Sequence, residues 1–577
     1  MLSTRSLIIF LLLPLCLSTP AFGAIQLDVV VEGVEGEIKN NILSYLSIEQ
    51  QKAHPNLTEG RIQRLHQKAI GEIKNALQPF GYYEPDIQAS LEHEKDKWTA
   101  RYLIDTGMPI LVSDIDIKII GEGAHDNSFQ QLVRNFPLHI GDILDHSRYE
   151  QGRDAFLQLT AERGYFDAQL LKHQIDIQPQ EYTASIILHI DTGQRYKFGK
   201  IIFKQEILRE ELLNSYVTFA EGDPYSTDQL LDLQNALTDS EYFSQVDIRG
   251  NREAMEDHEV PVEITLLPRK KYLYTLGAGY GTDTGPRGTF GWENRRINKR
   301  GHRLATELKA SEIKNSLTAR YEIPIRDPRT DNVSLTAAWV QDEPKATTSE
   351  TLLLGISRTV SRRVNWLETV YLNYQSEEYT VGGEDRKSAL YLPGISWSRI
   401  KADDRILTTH GSRLWLDFKT GVGSDANLLQ ARANGKIVRS AGENARILLR
   451  GDIGATEISD FDELPASLRF FTGGDQSVRG YAYQSLGPTN ADGEVIGGKH
   501  LMVGSVEYEH KIAGDWSGAV FYDAGNAIND FAEKLKRGAG IGLRWKTFIG
   551  PVRLDYAWAL SNPGKPWRIH LTIGPDL

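Results

Sequence analysis

The C-terminal segment Val552-Arg553-Leu554-Asp555-Tyr556-Ala557-Trp558 alternates apolar and polar side chains, and so does Trp567-Arg568-Ile569-His570-Leu571-Thr572-Ile573. A period of two is typical of a β-strand with two different faces. The second face repeatedly carries arginine, aspartate or histidine, which suits a wall between hydrocarbon and water better than a soluble sandwich. The pattern therefore predicts strands of a transmembrane β-barrel.

The same alternation extends over residues 268–577, and sixteen segments carry it. They centre near residues 276, 290, 306, 319, 336, 354, 371, 393, 416, 433, 450, 506, 521, 541, 555 and 570. Each strand with its connection takes roughly 19 residues, which fits the 9–11 residues of a tilted membrane strand. Because bacterial single-chain barrels have even strand numbers, about 14 or 18 strands are the alternatives to the predicted antiparallel 16-stranded barrel.

The composition excludes several classes of protein. The 577-residue chain has a net charge of −12 and no dominant basic block. This argues against nucleic-acid binding, which depends on neutralising phosphates. Beyond the N-terminus no apolar run approaches the ~20 residues that a membrane-spanning helix needs.

The N-terminus resembles an export signal. Arg5 is followed by the apolar run Leu7 to Leu17, and Ala21-Phe22-Gly23 places small residues before Ala24. We predict a signal peptide over residues 1–23. The single cysteine, Cys16, lies inside it. The mature chain therefore has no thiol for a disulfide, a nucleophile or a zinc site.

An aromatic turn recurs about every 80 residues in the first half of the chain, as Gly81-Tyr82-Tyr83, Gly164-Tyr165-Phe166 and Glu241-Tyr242-Phe243. Each turn follows an amphipathic helix and precedes two strand-like runs, and another strand-like run opens each unit. The pattern predicts three β-α-α-β-β repeats, at residues 24–110, 111–195 and 196–267. Ser147 and Ser226 stand where the N-caps of the second and third of these helices are expected.

These α+β repeats resemble the POTRA (polypeptide-transport-associated) module. Three copies followed by a barrel cover the whole mature chain. A module of this kind has a short sheet with an open edge that can accept an extended chain. An unrelated αβ repeat is the alternative.

The longest connection, residues 459–498, contains Gly473-Gly474-Asp475-Gln476-Ser477-Val478-Arg479-Gly480-Tyr481. Its Val478, Arg479, Gly480 and Tyr481 resemble the lumen-inserted loop of the BamA/TamA/two-partner-secretion transporter superfamily. Downstream, Phe521-Tyr522-Asp523-Ala524-Gly525 is similar to that family's strand motif, with Phe521 and Gly525 as its ends. Further family-like segments follow in the family's order.

Parity along two strands identifies partners for the loop arginine. Asp523 shares a strand face with Phe521, and Glu507 lies on the face opposite to Val506 and Tyr508. Both carboxylates should therefore point away from lipid, where charge is costly. We expect Arg479 to fork between Asp523 and Glu507 and to hold the loop against the wall. An ordinary solvated loop arginine is the alternative.

The first and last strands are expected to pair poorly. Gly277 and Gly279 weaken the packing of the segment Tyr272–Tyr280, and the last strand should stop before Gly574. This predicts a lateral seam where a client strand can add. The predicted seam residues are Tyr272, Leu273, Gly277, Gly279, Trp567, Ile569, Leu571 and Ile573.

Three POTRA modules ahead of one barrel is the arrangement of the TamA group within the superfamily. The resemblance implies a Gram-negative outer-membrane protein with its modules in the periplasm. It implies a role in inserting outer-membrane proteins such as autotransporters, with a TamB-like inner-membrane-anchored partner. The alternatives are a lipid-transport channel working with TamB and a two-partner-secretion exporter, whose usual N-terminal plug helix is not recognisable here.

No enzymatic site is predicted. The Asp-Thr-Gly triplets at Asp105, Asp191 and Asp283 resemble half of an aspartic protease dyad, but turn chemistry accounts for the first two. The histidines show no metal-ligand spacing, and no cofactor is expected. A basic cluster between the second and third barrel segments could hold anionic lipid headgroups, dock the last POTRA module or form a solvated turn; it comprises Arg295, Arg296, Lys299, Arg300 and Arg303.

Overall fold

The computed structural model describes residues 26–574 except residues 96, 345–346, 364–365, 405–406, 424–426 and 548–549. The predicted signal peptide and its cleavage site lie outside the described residues. The chain forms two compact units, one built mainly from residues up to Lys200 and the other mainly from residues after Val262. No helix in the described part of the chain is long and apolar enough to cross a membrane.

The first repeat is a three-stranded sheet covered by helices. Its elements are β1 (Gln26–Glu32), α1 (Gly36–Tyr45), α2 (Ser47–Gln50), α3 (Glu59–Leu77), β2 (Asp86–Glu94) and β3 (Lys97–Asp105). The sheet order is β1-β3-β2, with β1 parallel and β2 antiparallel to the central β3. The buried stripe of α3, which includes Ile62, Ala69 and Ile73, packs on the alternate buried residues of β3. The two outer strands leave open edges.

The second repeat has the same order of elements. They are β4 (Leu111–Ile120), α4 (Asn127–Arg134), α5 (His146–Arg163), β5 (Gln169–Gln178) and β6 (Thr183–Asp191), with sheet order β4-β6-β5. The predicted N-cap Ser147 is wrong. Asp145 caps α5, because its carboxylate accepts from the amides of Ser147 at 2.8 Å and Arg148 at 3.2 Å.

The third repeat again places its last strand in the centre of a sheet, in the order β7-β9-β8. Its elements are β7 (Lys197–Lys204), α6 (Glu210–Asn214), α7 (Thr227–Asp239), β8 (Phe243–Gly250) and β9 (Glu259–Pro268). α7 begins directly after Ser226, where the sequence predicts a helix start.

The first two aromatic turns contact the following repeat. The Gly81 carbonyl accepts from the Ile110 amide at 2.8 Å, and the Gly164 carbonyl accepts from the Tyr196 amide at 2.8 Å. Both glycines have φ above +80°, and a Cβ on Gly81 would lie 2.6 Å from the Leu144 carbonyl oxygen. The conformation and the close approach together explain why glycine opens these turns.

The rest of the chain forms a closed antiparallel barrel of sixteen strands. The strands are β10 (Tyr272–Gly281), β11 (Gly285–Asn294), β12 (Arg303–Ser311), β13 (Lys314–Pro324), β14 (Asp331–Asp342), β15 (Thr347–Arg363), β16 (Trp366–Val381), β17 (Glu384–Ala402), β18 (Gly411–Gly423), β19 (Asn427–Ser440), β20 (Ala445–Ile458), β21 (His500–Ala513), β22 (Trp516–Ile528), β23 (Lys536–Thr547), β24 (Gly550–Ala559) and β25 (Trp567–Ile573). The predicted fold class and strand number are confirmed.

The two faces of the wall differ as the alternation predicts. On β22, Val520 and Tyr522 are 53% and 45% exposed on the outside, whereas Phe521 and Asp523 are 5% and 0% exposed on the inside. Apolar side chains therefore meet lipid and the charged ones face the interior.

The third aromatic turn contacts the barrel. The Tyr242 hydroxyl donates to the Gly301 carbonyl, and the Arg303 guanidinium lies 4.5 Å from the centre of the Tyr242 ring. Arg295 pairs with Glu241 at 3.4 Å. Of the alternatives left open for the basic cluster, the structure places Arg295 and Arg303 against the third repeat. Burial raises the pKa of the Tyr242 hydroxyl, which keeps it a donor.

Candidate functional site

The connection between β20 and β21, residues 459–499, crosses the barrel interior and is called the lumen loop here. On one side Ser467 donates its amide to the Glu377 carboxylate of β16 at 3.0 Å. On the other side Val478 and Tyr481 pack against Ala559 of β24. These contacts with strands on opposite sides of the barrel show that the loop crosses the lumen.

Arg479 of the lumen loop is the centre of a buried charge cluster. Its Nε and Nη2 atoms donate to the two carboxylate oxygens of Asp523, at 2.8 and 3.0 Å. Its Nη1 atom donates to Glu507 Oε2 at 2.6 Å and to Asp555 Oδ2 at 3.1 Å. The guanidinium carbon lies 3.4 Å from the centre of the Phe521 ring. Arg479 is 6% exposed, so water screens the attraction between these charges only weakly.

A second arginine, which the sequence analysis did not identify, shares two of these carboxylates. Arg544 on β23 is 1% exposed. Its Nη2 atom donates to Glu507 Oε1 at 2.6 Å, and its Nη1 atom donates to Asp555 Oδ1 at 2.5 Å. Glu507 and Asp555 each give one oxygen to Arg544 and the other to Arg479. These four side chains form a closed ring of alternating charge, called the charge ring below.

Further charges surround the ring. Glu509 on β21 accepts from Arg544 Nε at 3.2 Å and from Arg446 of β20. Arg450 on β20 donates to the Ser477 carbonyl of the lumen loop at 2.7 Å. The interior on this side thus balances four arginines with four carboxylates, including that of Asp523. Removing one partner would leave a buried charge uncompensated, at a cost of about 3–5 kcal/mol.

Three glycines on the inner face of β23 make room for this arrangement. A Cβ on Gly538 would lie 2.1 Å from the Arg479 carbonyl oxygen, and one on Gly540 would lie 2.4 Å from the Phe521 ring. A Cβ on Gly542 would lie 2.0 Å from Asp555 Oδ1. Glycines at three alternate positions of one strand are the feature of the sequence that could have indicated a crowded inner face.

The seam between β10 and β25 is weakly paired. Among the described residues its ladder consists of the single pair Gly281 and Thr572. On the other side of β10, residues 272–281 pair along their whole length with 285–294 of β11. Tyr272, the first residue of β10, and Trp567, the first residue of β25, are both exposed on the outside of the wall.

The other predicted seam residues lie on these strands without a ladder partner across the seam in the described structure. They are Leu273, Gly277, Gly279, Ile569, Leu571 and Ile573. A Cβ on Gly279 would lie 2.7 Å from Arg287 Nε, and Arg287 donates from Nη2 to the Ile573 carbonyl at 3.1 Å. Gly279 therefore leaves space for a side chain that crosses the seam, whereas Gly277 meets only ordinary contacts.

The lumen loop also contacts both seam strands. Asp475 accepts from the Thr282 hydroxyl, next to β10, and from His570 of β25. This role of Asp475 and His570 was not predicted from the sequence.

Three regions of the chain match known families. Residues 296–576 match the Omp85 superfamily domain, residues 28–106 match the first POTRA domain of TamA, and residues 196–269 match the POTRA family of surface antigen variable number repeats. These matches cover the first and third repeats and the barrel from residue 296 onward.

Curated relatives include two BamA outer membrane protein assembly factors. The protein of Neisseria meningitidis is 24% identical over 464 residues, covering 67% of this chain and 58% of the relative. That of Nitratidesulfovibrio vulgaris is 21% identical over 431 residues, covering 70% of this chain and 53% of the relative. The chain thus spans little more than half the length of these relatives.

A solved structure has the same fold. The BamA of Haemophilus ducreyi lacking POTRA domains 1–3 superposes with a TM-score of 0.69 at 18% identity, covering 81% of this chain and 99% of that structure. A barrel joined to POTRA domains is the arrangement of BamA outer-membrane proteins, and the barrel of this chain is that of an outer-membrane protein. Residues 296–576 thus form an Omp85 superfamily domain, and with the TamA-type POTRA domain at residues 28–106 the chain fits the BamA/TamA/two-partner-secretion transporter superfamily.

Proposed function

We propose that this protein assists the insertion and assembly of outer-membrane proteins, autotransporters in particular, by offering the seam to a client strand. The observation that carries the proposal is the single Gly281–Thr572 pair between β10 and β25. Backbone N–H and C=O groups that face lipid without partners cost several kcal/mol each. A client strand that pairs with β10 satisfies these groups, so the barrel recruits strands without a cofactor.

The POTRA sheets supply a second place for strand addition. In the first two repeats the central strand is flanked on both sides, and the outer strands β2 and β5 each keep one edge free of a strand partner in the described structure. Strand addition draws most of its affinity from the backbone, so many client sequences can bind. The POTRA edges would hold an unfolded client near the barrel before insertion.

A TamB-like inner-membrane-anchored protein is the proposed partner. The match of residues 28–106 to the first POTRA domain of TamA supports this choice. The first repeat is also farthest along the chain from the barrel, which suits a contact made across the periplasm.

Lipid transport with the same partner is a second candidate. A lumen cavity of about 830 Å³ reaches the seam, and its lining includes Arg287, Arg413 and Arg450. Guanidinium groups bind phosphate well, so this cavity could accept the headgroup of an anionic lipid.

The test combines a gene deletion with a reversible lock. Cells lacking the gene are assayed in parallel for autotransporter surface display and for outer-membrane phospholipid. They are then complemented with the wild type or with the double variant Gly281→Cys/Thr572→Cys, whose cysteines would bridge the seam. We expect display to be lost in the deletion, restored by the wild type, and restored by the double variant after reduction of its disulfide.

A matched disulfide between two fully paired strands serves as the control. Glu378 and Lys387 face each other on β16 and β17, so Glu378→Cys/Lys387→Cys bridges strands that need not separate. This variant should support display whether oxidised or reduced. Normal display in the deletion together with altered phospholipid would favour lipid transport, and an oxidised seam lock that supports full display would contradict strand addition at the seam.

A further inference from the structure

The lumen loop holds the two seam strands together near their one paired position. Asp475 Oδ1 accepts from the Thr282 hydroxyl at 3.2 Å, and the same carboxylate oxygen contacts His570 Nδ1. The Asp475 amide donates to Asp283 Oδ2 at 2.5 Å. Thr282 and Asp283 follow directly after β10, whereas His570 lies in β25. One aspartate of the loop therefore bridges both sides of the seam.

Gly480 fixes the orientation of His570. Its amide donates to His570 Nε2 at 2.9 Å, so Nε2 is an acceptor and the neutral imidazole carries its proton on Nδ1. That proton points at Asp475. Ligand atoms of Asp283, Asp475 and His570 lie within 4.8 Å of one another, as in a metal site. Because the Nδ1 lone pair already carries the proton, this arrangement is better described as a hydrogen-bonded contact than as a cation site.

The contact is buried, and it joins residues on the two sides of the seam. His570 is 1% exposed and the Asp475 side chain 8%. Thr282 also bonds β25 directly, because its hydroxyl accepts from the Leu571 amide at 3.2 Å and its amide donates to the Leu571 carbonyl at 3.3 Å. The carboxylate of Asp475 holds the Thr282 hydroxyl in the orientation that leaves its oxygen free to accept.

We infer that Asp475 and His570 are positioning residues that form a latch on the seam, and that the seam opens when the lumen loop withdraws Asp475. A client strand adding to β10 would have to break the bonds of Thr282 to Leu571 and to Asp475. The side chains of the latch differ from those of the charge ring, which tie the loop to β21, β23 and β24, although Asp555 of the ring is the ladder partner of His570. It goes beyond the proposed function by coupling the position of the loop to the state of the seam.

The test measures the rate at which a disulfide forms between cysteines introduced on the two seam strands. The mature protein has no native cysteine if the predicted signal peptide is removed, so a pair introduced as Gly281→Cys/Thr572→Cys reports on the seam alone. The full chain is purified in detergent, and the rate of disulfide formation after addition of a mild oxidant is followed by gel electrophoresis. This reporter is combined with Asp475→Ala or with the control Asp492→Ala, which alters an exposed aspartate of the same loop.

We expect Asp475→Ala to shift the equilibrium between the closed and the open seam at least about fivefold toward the open state relative to Asp492→Ala, the factor given by the loss of roughly 1–1.5 kcal/mol of hydrogen bonding. Because the disulfide forms only in the closed seam, its formation should be slower in Asp475→Ala. His570→Ala should slow it similarly, and His510→Ala, at an exposed position of β21, should not. The double variant Asp475→Ala/His570→Ala should be no slower than either single variant, since both remove one contact.

Equal rates in all backgrounds would overturn the latch. If Asp475→Ala does not yield a folded barrel, as judged by the gel shift between unboiled and boiled samples, His570→Ala carries the test with the same criteria. No client is present in this experiment. A failed latch therefore leaves the proposed assembly function untouched, and a failed assembly assay leaves the latch to be decided by the rates.

Discussion

The junction between the first and last strands of the barrel is held together differently from the junction on the opposite side of the barrel. β16 pairs with β17 along its full length, residues 366–381 against 384–399, whereas β10 and β25 share the single described pair Gly281–Thr572. In lipid the ladder hydrogen bonds hold a wall together, because no water competes for the backbone groups. The difference shows that the weakness of this barrel is concentrated at one junction.

The lumen loop is bound most tightly on the weak side. Arg479 contacts β21, β22 and β24 through three carboxylates, and Asp475 contacts β25 through His570. On the opposite side the loop is held by the hydrogen bond of Ser467 to Glu377 and by a more exposed ion pair of Glu463 with Arg386 at 3.8 Å. Arg479 therefore holds strands that already have continuous ladders, and only the contact of Asp475 with His570 reaches a seam strand.

The largest effect is expected from reversing the central charge. Arg479→Glu would place a fourth carboxylate among Asp523, Glu507 and Asp555, and we expect a loss of at least about 3–5 kcal/mol of stability. The barrel should unfold at a clearly lower temperature, measured by the loss of gel-shift resistance on stepwise heating. The compensating variant Arg479→Glu/Asp523→Arg should recover part of the loss.

The matched control for that variant is Lys534→Glu, the same change of charge at an exposed position outside the ring. It should leave the unfolding temperature unchanged. If Arg479→Glu behaved like Lys534→Glu in both stability and assembly, the lumen loop would not be pinned by this arginine.

A smaller effect is expected from crowding the charge ring without changing any charge. Gly542→Ala puts a methyl group 2.0 Å from Asp555 Oδ1, so the carboxylate must move away from Arg544. Overpacking of this kind costs about 1–3 kcal/mol. Gly504→Ala is the control, since nothing lies within 4 Å of its Cβ. A Gly542→Ala barrel as heat-resistant as the Gly504→Ala barrel would show that the ring tolerates displacement.

The junction between the third repeat and the barrel depends on the Tyr242 hydroxyl, which also accepts from Arg303 Nε at 3.4 Å. Tyr242→Phe removes the hydroxyl that donates to the Gly301 carbonyl, leaving a buried acceptor unpaired at a cost of about 1–2 kcal/mol. Amide exchange of residues 299–303 should speed up, while that of β23 stays unchanged. Tyr274→Phe, at an exposed tyrosine of β10, is the control. Equal exchange in both variants would show that this bond adds nothing to the junction.

The smallest effect is expected in the second repeat, far along the chain from the seam. Burial raises the pKa of Asp126, but the Ser128 amide and Arg163, at 3.0 and 2.7 Å, outweigh it, and the pKa is lowered overall. The carboxylate therefore stabilises α4 above its unfolded pKa, and this contribution is lost as the pH falls through the folded value.

Asp126→Asn should raise amide exchange in α4 at pH 6 by an amount corresponding to about 0.2–1 kcal/mol, because asparagine can still cap the helix but loses the ion pair with Arg163. The difference from the wild type should shrink toward pH 3. A difference that stays constant between these two pH values would indicate that the side-chain amide, not the lost charge, is responsible.

Much of the barrel could be predicted from the sequence, because alternation is a local property of each strand. Parity along β21 and β22 was enough to place Glu507 and Asp523 on the inner face, where both contact Arg479. Whether these contacts work as a functional pin stays a prediction. Ser147 was misassigned as a helix cap because an aspartate two residues earlier competes better for the same amides.

The rest of the site depends on how distant strands align. Arg544 enters the charge ring through the register of β23 against β24, and His570 meets Asp475 because the loop folds back across the lumen. Neither fact is encoded in a local pattern. The three Asp-Thr-Gly triplets also could not be distinguished from the sequence. Asp105 and Asp191 accept from backbone amides of their own turns, whereas Asp283 accepts from the backbone amide of the distant Asp475.

The central claim is that the barrel is weakly paired between β10 and β25. Its most direct test is amide hydrogen exchange of the full chain in lipid nanodiscs, resolved by strand. We predict that residues 272–280 of β10 and 567–571 of β25 exchange at least about tenfold faster than residues 366–381 of β16, a difference of roughly 1.4 kcal/mol in local opening. Equal protection of the seam strands and β16 would contradict the account.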